Sequence, residues 1–212
     1  MRNLKNLLEG RELSPSCAGL ISGSVYNCDE PLVPSVYKRV IIGSIDDILE
    51  KTFDPTETNV LTALTLKTGE QCFAFDGVKN SISPSIELRE ATLANTYVHQ
   101  LALSIFEVDS AQKENIENMV LDRMFAIVEN ANDSSYGDSI FEIYGFNGME
   151  VNELTRTPSD PDTSGAYVMN MQTPEAYGGE TRLPITFDAG GYEATLAAVE
   201  ALLSPAPAPP TV

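Results

Sequence analysis

Ser81-Ile82-Ser83-Pro84-Ser85-Ile86-Glu87-Leu88-Arg89 is the stretch that decides the fold. Ile82, Pro84, Ile86 and Leu88 take every second position, with Ser81, Ser83, Ser85, Glu87 and Arg89 between them. A period of two places these sets on opposite faces of a β-strand. Pro84 has no N–H to give to a ladder, which assigns the strand to a sheet edge or a bulge. Beyond Ala94-Asn95 a second strand runs from Tyr97 to Val108, with Tyr97, Leu101, Leu103 and Ile105 on one face. Residues 85–106 therefore read as a long hairpin.

Upstream, Val36 to Gly43 is β-branched and closed by glycine, a further strand. Ile45 to Lys51 suits one short helical turn. Asn59 to Thr68 alternates imperfectly, and Gly69-Glu70 suggests a hairpin turn returning as Gln71 to Val78. Residues 1–35 are rich in Gly, Ser, Pro and Asn without a period, and read as an arm or long loop.

Downstream, Asp109 looks like a helix N-cap with Gln112 as capping-box partner. Ile116, Val120, Met124 and Ile127, flanked by Leu121, Phe125 and Val128, predict one covered helix over 110–130. Ser139–Gly145 and Gly165–Gln172 read as strands. Tyr192, Leu196, Val199 and Leu203 predict a last helix after Gly190-Gly191, stopped by the Pro-rich run from Pro205, which reads as an extended, mobile end. Strands in adjacent runs favour an α+β fold: a mainly antiparallel β-sandwich or barrel with one packed central helix and a C-terminal helix. The expected organisation is an arm over 1–35, a β-domain over 36–188, and a C-terminal helix and Pro-rich end over 189–212.

The chain has 212 residues with 31 acids against 13 bases, a formal charge of -18. Phosphate recognition needs clustered Lys and Arg, and none is present, so a grip on nucleic acid is excluded, as is an anionic membrane surface. No apolar run is long enough for a bilayer-spanning helix, and the N-terminus lacks the apolar core of a secretory signal. Residues 1–53 carry seven acids and six bases, so residues 54–212 hold -17 of the -18. The cysteines, Cys17, Cys28 and Cys72, are odd in number, which fits a reducing compartment. Cys17 and Cys28 are spaced either to close a short loop or to stand as free thiols.

His99 is the only histidine, in step with Tyr97 and Leu101, and reads as a satisfied or interfacial side chain. No phosphate loop, nucleophile elbow, zinc-binding helix or paired-cysteine motif is present, so the expectation is not an enzyme and no cofactor. Asp160-Pro161-Asp162-Thr163-Ser164-Gly165 matches the first half of a calcium loop, making Asp160, Asp162 and Ser164 the one candidate cation site. The twelfth position, where a bidentate Glu belongs, falls on Met171, and a tight turn entering a strand accounts for the same residues.

Three features resemble tail tube and ring-forming virion structural proteins of tailed bacteriophages of the Bacteroidetes-phage type. They are the Cys17-to-Cys28 spacing followed by a strand and Gly43-Ser44-Ile45-Asp46-Asp47-Ile48; the hairpin running into the 110–130 helix; and Ile140 to Val151 followed by Ser159 to Val168. The resemblance covers about residues 15–185, and the C-terminal helix with its Pro-rich end departs from it. It implies two antiparallel sheets flanked by a helix, and a homo-oligomeric ring of six or more copies. It also implies contacts to neighbouring ring, portal or tail proteins through the 1–35 arm and the 43–58 connection, in a virion tail or collar assembled in the bacterial cytoplasm. Lumen carboxylates would let DNA pass without binding it. The alternative from a different class is a soluble acidic β-sandwich binding module, calcium-dependent through Asp160 and Asp162.

Overall fold

β-branched and aromatic residues crowd the stretches that become strands. The computed structural model describes residues 36–78, 81–90, 95–130, 141–175 and 178–207. The first six strands are β1 (Val36–Ser44), β2 (Ile48–Phe53), β3 (Val60–Leu66), β4 (Phe73–Asp76), β5 (Ile82–Arg89) and β6 (Thr96–Ile105). The central helix α1 (Ser110–Leu121) follows, then β7 (Met124–Asn130), β8 (Phe141–Thr155), β9 (Tyr167–Gln172), β10 (Ile185–Phe187) and the C-terminal helix α2 (Tyr192–Ala201). The fold is α+β and mainly antiparallel. The 1–35 arm, with Cys17 and Cys28, lies outside the described residues.

One half of the sheet runs in the order β2-β3-β10-β8-β7-β1-β4, and the other runs from β8 through β9 and β6 to β5. Only the β10–β3 pair among these is parallel. β8 belongs to both halves: Glu142 and Ile143 pair with β10, Phe141 to Met149 with β7, and Glu150 to Thr155 with β9. The strand changes partners around Gly145 and Gly148, at φ 68° and 96°. Those angles strain any side chain, and a Cβ on Gly145 would lie 2.6 Å from Met149 Cγ.

The curled sheet encloses one core and leaves a second on its outer side. Val40, Ile42, Leu101, Leu103, Met149, Met169 and Met171 meet Ile116 and Met119 of α1 in the first. Leu61, Phe125, Ile127, Ile143, Ile185 and Phe187 meet Val199 and Leu202 of α2 in the second. Each such side chain removed from water stabilises the fold by roughly 1.5–3 kcal/mol.

The single helix expected over 110–130 is two elements. α1 ends at Leu121, which is 86% exposed, and Asp122 turns the chain into β7. Met124, Ala126 and Val128 enter the first core while Phe125 and Ile127 enter the second. A strand buried on both faces is a continuous apolar run, and such a run satisfies a helical period as well as a strand period. The Asp109 cap holds: its Oδ1 accepts from Gln112 N at 2.8 Å.

The expected hairpin about Gly69-Glu70 does not form. β3 pairs with β2 and β10, whereas β4 pairs with β1. The C-terminal segment takes the place between them: Gly69 N donates to Ala206 O, Ala206 N to Glu70 O, and Cys72 N to Leu202 O. The Pro-rich end is thus pinned to the body as far as Ala206, and α2 shares a core with the 36–188 sheet. The helical turn expected over 45–51 shrinks to a 3-10 turn at Ile45–Asp47, after which β2 begins. The hairpin read over 85–106 forms from β5 and β6, though the second strand, expected to reach Val108, ends at Ile105; among the described residues β5 is an edge strand with β6 its only partner.

Candidate functional site

His99 sits mid-strand on β6 with 1% of its surface exposed. Its Nδ1 accepts from Gly145 N at 3.1 Å, so the ring proton is on Nε2, which donates to Arg182 O at 3.0 Å. Tyr144 meets the ring edge-on at 5.7 Å between centroids. Burial pulls its pKa down to about 4, with the Arg182 carbonyl acting in the opposite direction. It is a neutral, doubly bonded histidine that ties the bend of β8 to the 180–183 segment.

A second titratable group holds the same bend from the other side. Glu180 is 2% exposed and its Oε1 accepts from Asn147 N at 2.7 Å. Burial raises its pKa, while the Asn147 N–H and the charge of Lys51 pull it back. Lys51, half-buried on β2, donates from Nζ to Phe146 O at 3.3 Å and lies 3.8 Å from the Phe146 ring centroid. Burial lowers the Lys51 pKa, against the effect of Glu180.

Above Glu180 is a cavity of about 240 Å³ walled by Phe53 and Phe146, with Asn147, Thr181 and Arg182 around it. The two rings meet edge-to-face at 5.6 Å. Arg182 Nη1 donates to Thr58 O at 2.6 Å, and its guanidinium carbon is 5.5 Å from the Phe53 ring centroid. Reading the sequence missed this group. Glu180 is one of 31 acids in an aperiodic stretch, and nothing local links it to Lys51 or Asn147.

Asp160, Asp162 and Ser164 lie together in the turn before β9. Asp160 Oδ1 accepts from Asp162 N at 2.9 Å and Oδ2 from Thr163 Oγ1 at 3.0 Å. Ser164 adopts φ 54° and Gly165 φ 71°, the left-handed geometry of a tight turn. The carboxylate that would lead a cation loop is committed to the turn itself. Among the described residues no group of three or more His, Cys, Asp or Glu is arranged to hold a metal ion.

The open edges of the sheet carry apolar side chains. Among the described residues β2, β4 and β5 each have one unpaired side, and β8 beyond Glu150 pairs only with β9. Leu49 on β2 is 66% exposed, Phe73 on β4 53%, Leu88 on β5 55%, and Leu154 on β8 40%. Arg39–Glu200 and Arg123–Asp46 are the ion pairs among the described residues. No family model matches the chain, and neither a curated protein nor a solved structure matches it.

Proposed function

We propose that this protein is a virion structural subunit that assembles with copies of itself into a ring of a bacteriophage tail tube or collar. The observation that carries the reading is the pairing of open edges with exposed apolar residues: Leu49, Phe73, Ile86, Leu88 and Leu154. An unpaired edge bearing apolar side chains is an aggregation hazard in a monomer, and closed symmetry converts it into a subunit joint. The acidic body supports a role in which DNA passes without being held, since carboxylates repel phosphates. Chemistry on a substrate has no comparable support, because His99 is saturated by two backbone partners.

The test is the mass of the purified protein in solution, by light scattering after gel filtration and by negative-stain microscopy. Rings of defined size are expected. With -18 on each copy, assembly should strengthen as added salt shortens the screening length to roughly 8–10 Å. A protein that stays monomeric across micromolar concentrations at every salt level would overturn the proposal.

A further inference from the structure

We propose that the cavity over Glu180 binds a neutral polyhydroxylated ligand, a sugar ring, seated between the Phe53 and Phe146 rings with a hydroxyl donating to Glu180 Oε2. The cavity lies within one copy of the chain, so the inference goes beyond assembly and does not depend on it.

Three observations point to a ligand. Glu180 is 98% buried, yet Oε1 alone is engaged, by Asn147 N; Oε2 has no hydrogen-bond partner among the described residues. Oε2 itself is accessible, and Glu180 lines a cavity of about 240 Å³, so this oxygen is a free acceptor at the cavity wall. Around it stand acceptors and donors with spare capacity. Asn147 uses N and Nδ2, leaving Oδ1 unengaged among the described residues, and the Arg182 guanidinium gives only Nη1 to Thr58 O. Phe53 and Phe146 supply the apolar wall.

The charges decide the ligand class. An organic ammonium would suit Glu180 and the aromatic faces, but Lys51 already lies against Phe146 and Arg182 against Phe53. A third cation would meet both at short range. An anion would suit Lys51 and Arg182, but it would meet the open oxygen of Glu180 with the carboxylate trapped behind it. A neutral polyol avoids both conflicts. Its hydroxyls donate to Glu180 Oε2 and Asn147 Oδ1, its oxygens accept from Arg182, and its C–H face packs on the phenyl rings. Such a mixture of apolar wall and a few convergent polar groups is typical of small-ligand sites.

The test is a titration of the isotopically labelled protein, followed by amide chemical shifts. The probes are methyl α-D-glucopyranoside, methyl α-D-galactopyranoside and N-acetylglucosamine, each up to about 50 mM, since a single ring in a partly open site binds in the millimolar range. At least one sugar should shift the amides of Asn147, Thr181 and Leu183 saturably, leaving those of Ile116 and Met119, which pack in the other core, unmoved. Glu180→Gln keeps an acceptor for Asn147 N but puts an amide beside the ligand, and should weaken binding about tenfold or more. Arg182→Met, altering an exposed rim side chain, should weaken it too and serves if the first variant misfolds. No saturable shift with any of the three sugars overturns the proposal. So does a response to butylammonium or acetate in their place, or unchanged sugar binding in both variants.

Discussion

Acid should unfold this protein through His99 before its other groups are exhausted. In the unfolded chain the imidazole takes a proton near its ordinary 6.5; in the fold burial delays that to about 4. Between those values the unfolded state binds a proton that the folded state refuses, so stability present above pH 6.5 drains away as the pH falls toward 4. Each pH unit is worth about 1.4 kcal/mol, so the full window of two and a half units removes about 3 kcal/mol. Against a typical stability of roughly 5–15 kcal/mol that is a large share.

The structure names what is lost. Protonation at Nδ1 deletes the acceptor for Gly145 N–H and places a charge against Tyr144 and the bend of β8. Glu180, on the other side of the bend, acts with the opposite sign. Its raised pKa means that stability is regained as the carboxyl takes up a proton on the way down. The raw pH profile therefore mixes the two, and the variant His99→Gln separates them. Urea unfolding at about pH 7, 6, 5 and 4.5 should show a steeper loss in the parent than in His99→Gln, with a difference of about 2.5 kcal/mol at the lowest pH. Because the chain has a single histidine, its ring resonances give the titration directly. A His99 pKa near 6.5, or equal pH slopes in parent and variant, would refute the burial account.

Two further outcomes follow from the packing and the turn. Gly43→Ala would put a methyl 2.7 Å from Cys72 Sγ and 2.8 Å from the Phe125 ring, so thermal unfolding should report a loss of roughly 1–3 kcal/mol. Asp160→Ala removes both acceptors of the turn before β9 and should cost about 1 kcal/mol, while millimolar calcium leaves the parent's melting temperature unchanged. A calcium-dependent rise in melting temperature, lost in Asp160→Ala, would support the cation-site reading of Asp160, Asp162 and Ser164.

The alternation of Ile82, Pro84, Ile86 and Leu88 was enough to place an edge strand, and the steps from Tyr192 to Val199 were enough to place α2. Ile82 and Val199 anchor the two elements in the cores, while Ile86 and Leu88 continue the apolar face of β5 out to the open edge, so the local period reports the strand even where its face is uncovered. The step of His99 with Tyr97 and Leu101 read it as a satisfied or interfacial side chain, and in the fold it is buried with both ring nitrogens bonded. β7 escaped that logic because Met124 to Val128 are buried on both faces, and an unbroken apolar run carries no period to choose between helix and strand. The parting of β3 from β4 escaped it as well, because residues 202–206 arrive from more than a hundred positions away to fill the gap. The corner of Lys51, His99, Asn147 and Glu180 draws on four distant segments that meet where β8 changes partners. Local spacing determines which way a side chain faces; only the assembled sheet determines which faces meet, because pairing is selected by the burial that distant strands achieve together.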